Sequence, residues 1–169
     1  MPEVTLRHEI ETDEDTFWSK LVFDKEFNEK LYVEALRFPR WQLLEMHEDE
    51  AKITRRVQVE PPLRDLPAAV KKAIGDRLAY TEEGTFDKKT KRYSFKVTPS
   101  TMADKTKVSG ELWTENIGNK KIRRMCRISV EVKVFVVGSM IEDRILADLR
   151  SSYDDSTTFT NQYIRDKGL

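Results

Sequence analysis

The chain has 169 residues, of which 38% are hydrophobic and 36% charged, with 30 basic and 30 acidic side chains in balance. That length suits one domain with a sizeable core, and the composition excludes a disordered or low-complexity chain. Zero net charge leaves no global field to attract nucleic acid or an anionic membrane, and no apolar run approaches a membrane span. The single cysteine, Cys126, excludes an internal disulfide and suits a reducing compartment. Met1 to Val4 does not open like a signal peptide, so a cytoplasmic location is expected.

Val4, Leu6, His8 and Ile10 alternate with polar residues, the period of a half-buried strand that places His8 on the apolar face. Thr12 or Asp13 can cap a first helix with Phe17, Trp18, Leu21 and Val22 inward. Asp24 can cap a second, with Phe27, Leu31 and Ala35 at spacing four, ended by Pro39. Trp41 to Met46 and Ala51 to Val59 read as a hairpin around the acidic turn His47 to Glu50, stopped at Pro61 and Pro62. Leu66 to Gly75 has proline near its start and glycine at its end, so a short helix is expected with Leu66, Val70 and Ile74 on its apolar side.

Strands follow one another from Leu78. Leu78, Tyr80, Gly84 and Phe86 share a face with Glu82, and the basic turn Asp87 to Lys91 leads to Tyr93, Phe95 and Val97. After a loop from Pro99 to Lys107, Val108, Gly110 and Leu112 share a face, and Asn116 to Asn119 makes a turn. A long strand follows, with Ile122, Arg124, Cys126, Ile128, Val130, Val132, Val134 and Val136 on one side. Ser139 and Glu142 have the spacing of a capping box that would start a terminal helix just after Gly138. Its inward stripe is aliphatic at Ile141, Ile145 and Leu149. It becomes half-polar at Ser152 or Tyr153, Ser156, Phe159 or Thr160, and Tyr163. About 26 residues at about 1.5 Å each make a rod of about 40 Å.

Short turns between strands imply an antiparallel sheet with one wet face, and the helices must cover the other, giving an α+β architecture. About seven strands twist strongly enough to curl around one long helix. The whole chain, 1–169, is read as one domain. Alternate connections of a meander lie at one end, so the turns near Glu48, Lys89 and Gly118 go together. The Pro61–Arg77 insertion, the Pro99–Lys107 loop and the Val137–Ser139 junction gather at the other, where the mouth of a cavity is expected.

This element order, with a valine-rich strand running through Val136, Val137 and Gly138 into a terminal helix, resembles the START-like (SRPBCC, helix-grip) superfamily from Val4 to Tyr163. That group includes lipid-transfer domains, polyketide cyclases and pollen allergens. The chain looks nearest to bacterial members of uncharacterised function and more loosely similar to sterol-binding START-like domains. The resemblance implies a helix-grip fold that holds an apolar ligand between the curled sheet and the terminal helix.

Candidate cavity-lining residues are His8, Arg55, Tyr80, Glu82, Tyr93, Phe95, Leu112, Ile128, Leu149, Ser156, Phe159 and Thr160, with Leu66, Val70 and Ile74 as a lid. His8, Arg55, Glu82 and Arg124 fall on inward faces, where a charge needs a partner or a solvated cavity. They read either as polar anchors in an apolar site or as structural ion pairs and frayed strand ends. The aromatics read equally as ordinary core. Two histidines and one cysteine lack zinc-site spacing, no phosphate loop occurs, and a strand-face Cys126 thiol is expected to be inert, so no metal or cofactor is expected. Lys88, Lys89, Lys91, Arg92, Lys120, Lys121, Arg123, Arg124 and Arg127 cluster near two turns, offset by the acidic turn, so nucleic acid is not an expected partner and membrane contact is at most transient. The leading expectation is a non-catalytic binder of a lipid-like or polycyclic molecule. The alternatives are a cyclase or hydrolase using His8, Glu82 or Tyr93, and a protein-interaction module with a dry core.

Overall fold

The computed structural model describes residues 2–169. Its strands are β1 (Glu3–Ile10), β2 (Arg40–Glu48), β3 (Lys52–Glu60), β4 (Tyr80–Asp87), β5 (Arg92–Pro99), β6 (Thr106–Gly118) and β7 (Lys121–Val132). They form one antiparallel sheet in the order β1-β7-β6-β5-β4-β3-β2. From β2 to β7 each strand pairs with the next in sequence, and β1 adds beside β7, with Leu6 opposite Cys126 and His8 opposite Arg124. The acidic and basic turns do share one end, where Lys88 Nζ lies 2.6 Å from the Glu48 carboxylate.

Consecutive strands β1 and β2 are therefore the two edges of the sheet, and the chain between them spans its concave side as a helical pair. Helix α1 (Glu14–Thr16) winds on as π-helical turns at Phe17–Val22, and α2 (Lys25–Glu29) as Lys30–Ala35. Aspartates start both: Asp13 accepts the Thr16 N–H and Asp24 the Phe27 N–H, each at 2.8 Å. The π turns shift the expected inward stripe. Leu36 N–H donates to Leu31 O at 2.9 Å, five residues back, so Leu36 rather than Ala35 turns toward the core, and Ala35 is exposed.

Helix α3 (Ala68–Ile74) lies in the long β3–β4 connection, and α4 (Gly138–Lys167) ends the chain. Strand β7 stops at Val132, short of the expected Val136. Gly138 N–H donates to Val134 O and Val137 N–H to Phe135 O, both at 2.9 Å, in a tight turn that leaves Phe135 95% exposed. The expected capping box does not form. Glu142 instead accepts the Val132 N–H at 2.8 Å, satisfying the last strand residue. A side chain at Gly138 would run into the Val132 carbonyl, so only glycine lets the helix start this close to the strand.

In the middle of the sheet Phe95 pairs with Gly84 on one side and Gly110 on the other. With no side chains there, the Tyr93 and Phe95 rings lie flat across the neighbouring strands. Three buried clusters fill the grip. One, around Ile10, Trp18, Leu21, Phe86 and Ile122, packs the helical pair and the end of α4 onto the turn end of the sheet. A second joins β1, β7 and the start of α4 through Leu6, Ile128, Val130 and Ile141, and takes in Val70 of α3. The third, Phe38, Trp41, Val57 and Val59, seals the β2–β3 edge.

Candidate functional site

Between the three clusters lies a cavity of about 310 Å³, enclosed by the concave face of the sheet, the helical pair and α4. Pro61, Pro62 and Leu63, with α3, border it at the end opposite the short turns. Arg144 of α4 holds this border in place, donating to the carbonyl of Asp65 at 2.9 Å and to that of Arg64, while pairing with Asp148 at 3.1 Å. Most of the wall is aliphatic or aromatic, and besides Arg144 and Asp148 its charged groups fall in two clusters.

The first cluster stands on β3, β4 and β5. Strand alternation and register bring Arg55, Glu82 and Tyr93 to the same face. Tyr93 Oη donates to Glu82 Oε2 at 2.8 Å, and Arg55 lies 3.5 Å from the same oxygen. Arg55 also donates to the Val22 carbonyl at 2.6 Å and lies over the Phe23 and Tyr93 rings. Burial opposes the charge on Arg55, but Tyr93 and Glu82 outweigh it and raise its pKa. Burial, reinforced by Glu82, pushes the Tyr93 phenol well up, so Tyr93 keeps its proton and acts as a donor.

The second cluster stands on β7 and α4. Arg124 donates to Thr157 Oγ1 at 2.8 Å, to Tyr153 O at 3.2 Å and to Ser156 Oγ at 3.3 Å, with its guanidinium 4.8 Å from the Tyr153 ring centre. Cys126 is buried beside it, 3.3 Å from Tyr153 Oη, and burial pushes its thiol up to about 11, which makes it a poor nucleophile.

Of the residues expected around a cavity, the structure brings Arg55, Tyr80, Glu82, Tyr93, Phe95, Leu112, Ile128, Leu149, Ser156 and Thr160 to its wall, and Leu66, Val70 and Ile74 to its border. His8 and Phe159 do not reach it. His8 points inward from β1 but is covered by α4, where its Nε2 meets Asp154 Oδ1 at 2.7 Å. Phe159 lies one position off the cavity stripe of α4 and packs with Tyr163 against Phe27 of α2. The aliphatic half of α4, through Ile141, Ile145 and Leu149, lines the cavity as much as the half-polar half does. Tyr32 was missed because the π turn that places it leaves no mark in apolar spacing, and Asn28 because a polar residue of α2 carries no apolar signal. Tyr153 and Arg124 carried a signal, an inward position on a helix stripe and on a strand.

The model of the family described as "Protein of unknown function (DUF2505)" matches residues 5–164. The chain belongs to that family. No curated protein matches this DUF2505 chain. Among solved structures it is similar to a protein from Thermus thermophilus, with TM-score 0.70 and 13% identity over 99% of this chain and 100% of that one. It is similar to the Zhui aromatase/cyclase from Streptomyces sp. R1128, with TM-score 0.69 and 10% identity over 99% and 98%. A START superfamily protein from Mycobacterium smegmatis aligns with TM-score 0.62 and 14% identity over 95% and 98%. At these identities the shared property is the fold, which is START-like and helix-grip, an α+β arrangement of a seven-stranded antiparallel sheet and a long terminal helix. No helix among the described residues is long and apolar enough to cross a membrane.

Proposed function

We propose that this DUF2505 chain binds or carries a hydrophobic small molecule, lipid-like or polycyclic, between its sheet and α4 without transforming it. The observation that carries this reading is the cavity of about 310 Å³ with a mainly apolar wall, at the small end of ligand sites, which run from about 300 to 1,000 Å³. Burial of apolar surface supplies most of the affinity, and the two polar clusters orient the guest. Helix α3, with Leu66 just ahead of it, serves as the lid, through Leu66, Val70 and Ile74 at the border.

Native mass spectrometry of the purified protein is expected to show a copurified apolar ligand, and the neutral fluorophore N-phenyl-1-naphthylamine is expected to brighten on titration. Ser156 is buried at the wall, so Ser156→Leu should fill the space and reduce both signals. Unchanged binding by a folded Ser156→Leu protein overturns the wall assignment. Absence of binding by the wild type overturns the reading itself.

One observation favours a second reading, a cyclase or hydrolase. Glu82 and Tyr93 are within hydrogen-bonding reach of each other and both face the cavity. Tyr93→Phe discriminates: it removes a proton donor, so a catalyst loses turnover while a carrier keeps its affinity for apolar ligands.

A further inference from the structure

Five side chains of formal charge reach the cavity wall: Arg55, Glu82, Arg124, Arg144 and Asp148. Four of them cancel in pairs, Glu82 with Arg55 at 3.5 Å and Asp148 with Arg144 at 3.1 Å. Arg124 is left over. Among the described residues no carboxylate oxygen lies within 4.0 Å of its guanidinium, and its protein partners are all neutral: Ser156, Thr157 and the Tyr153 carbonyl. The acid next along α4, Asp154, is turned to His8 at 2.7 Å and is largely exposed.

Arg124 is only 6% exposed. Three of its five N–H donors are used, and the buried Nε–H has no partner at all. Burying a guanidinium without a counter-ion is strongly unfavourable, and a guanidinium cannot escape by losing its proton. The contrast with Arg55 is instructive. Arg124 is buried and Arg55 nearly so, yet Tyr93 and Glu82 raise the pKa of Arg55 whereas burial lowers that of Arg124. Among the described residues the chain sets no carboxylate against the Arg124 guanidinium, and Arg124 is among the residues that line the cavity.

We propose that Arg124 seats a carboxylate carried by the ligand, so that the cavity selects an amphipathic acid over a neutral lipid. The proposal rests on the cavity-binding reading above. A carboxylate is favoured over a phosphate monoester because a single negative charge balances the single unpaired guanidinium. A phosphate, at about −1.5 to −2, would overcompensate it. The ligand's apolar body then occupies the space bounded by Phe95, Leu112, Ile128 and Leu149, with its head against β7 and α4.

The test is competition against N-phenyl-1-naphthylamine at neutral pH, comparing decanoate with decan-1-ol, which share a chain and differ in the head. Decanoate is expected to displace the fluorophore from the wild type at a concentration at least about tenfold lower than the alcohol. Arg124→Met is expected to abolish that preference, weakening displacement by decanoate at least about tenfold more than displacement by the alcohol. If Arg124→Met does not fold, Arg124→Gln takes its place with the same expected and overturning outcomes. Equal displacement by the two competitors in the wild type overturns the carboxylate seat and leaves the cavity reading standing. A preference for decanoate that survives Arg124→Met places the anion elsewhere and also overturns the proposal. Failure of the fluorophore and both competitors to bind overturns the cavity reading, and this proposal with it.

Discussion

Single residues set the shape of the site. The Phe95 ring lies over its cross-strand neighbour Gly110, as the Tyr93 ring lies over Gly84, and a side chain at Gly110 would come within 2.6 Å of both the Arg127 carbonyl and the Phe95 ring. The carbonyl belongs to the sheet and cannot yield as a flexible side chain can. Gly110→Ala is therefore expected to cost about 1–3 kcal/mol, read as a lower urea midpoint with unchanged slope. A midpoint equal to wild type would mean that the strands and the Phe95 ring absorb the methyl group. Alternation alone made the inward side of Glu82, Tyr93 and Phe95 legible. What it could not reveal was that two glycines would flank one phenylalanine, because that depends on register across three strands rather than on spacing within any one of them.

At the scale of elements, the caps at Asp13 and Asp24 were legible because a capping aspartate is a local device that acts within its own turn. The Ser139–Glu142 pair shows the limit of the same reasoning. The spacing is right, but tertiary structure offers Glu142 a better donor in the Val132 N–H. Helix α4 shows how one helix carries two duties on adjoining stripes. Ile141, Ile145, Leu149, Ser156 and Thr160 face the cavity, while Phe159 and Tyr163 grip α2. Ile141 is fully packed against the β1–β7 cluster and Ile145 only partly buried, with one side on empty space. Ile141→Ala is accordingly expected to cost about 2–5 kcal/mol, and Ile145→Ala distinctly less, because its side chain has less packing to lose. Equal losses in chemical denaturation would show that the space beside Ile145 is closed in solution.

At the scale of the molecule, element order carried most of the fold. A meander of hairpins leaves few topologies, and the placement of long connections at one end followed from counting turns. The position of the cavity's polar groups did not follow, since it depends on how far the sheet curls and on the π turns that bring Tyr32 over the wall. That curl collects four of the chain's five tyrosines, Tyr32, Tyr80, Tyr93 and Tyr153, around one cavity. Burial raises the pKa of every one of them, that of Tyr32 from an ordinary 10.0 to about 12. A phenol held neutral in the folded state binds its proton more tightly there than in the unfolded chain. Its contribution to stability is thus complete below pH 10 and is lost as the pH rises from 10 towards 12 and beyond. Tyr32 alone accounts for about 3 kcal/mol of that loss, against a total stability of about 5–15 kcal/mol for a typical domain. Cooperative alkaline unfolding is therefore expected within or just above this window, with the near-ultraviolet phenolate absorbance rising together with the loss of circular dichroism. A bound acid that occupies the cavity should move the midpoint upward, since it stabilises only the folded state. If all five tyrosines instead ionise near pH 10 while the fold persists, water reaches the cavity wall freely and the enclosure of these phenols is not maintained in solution.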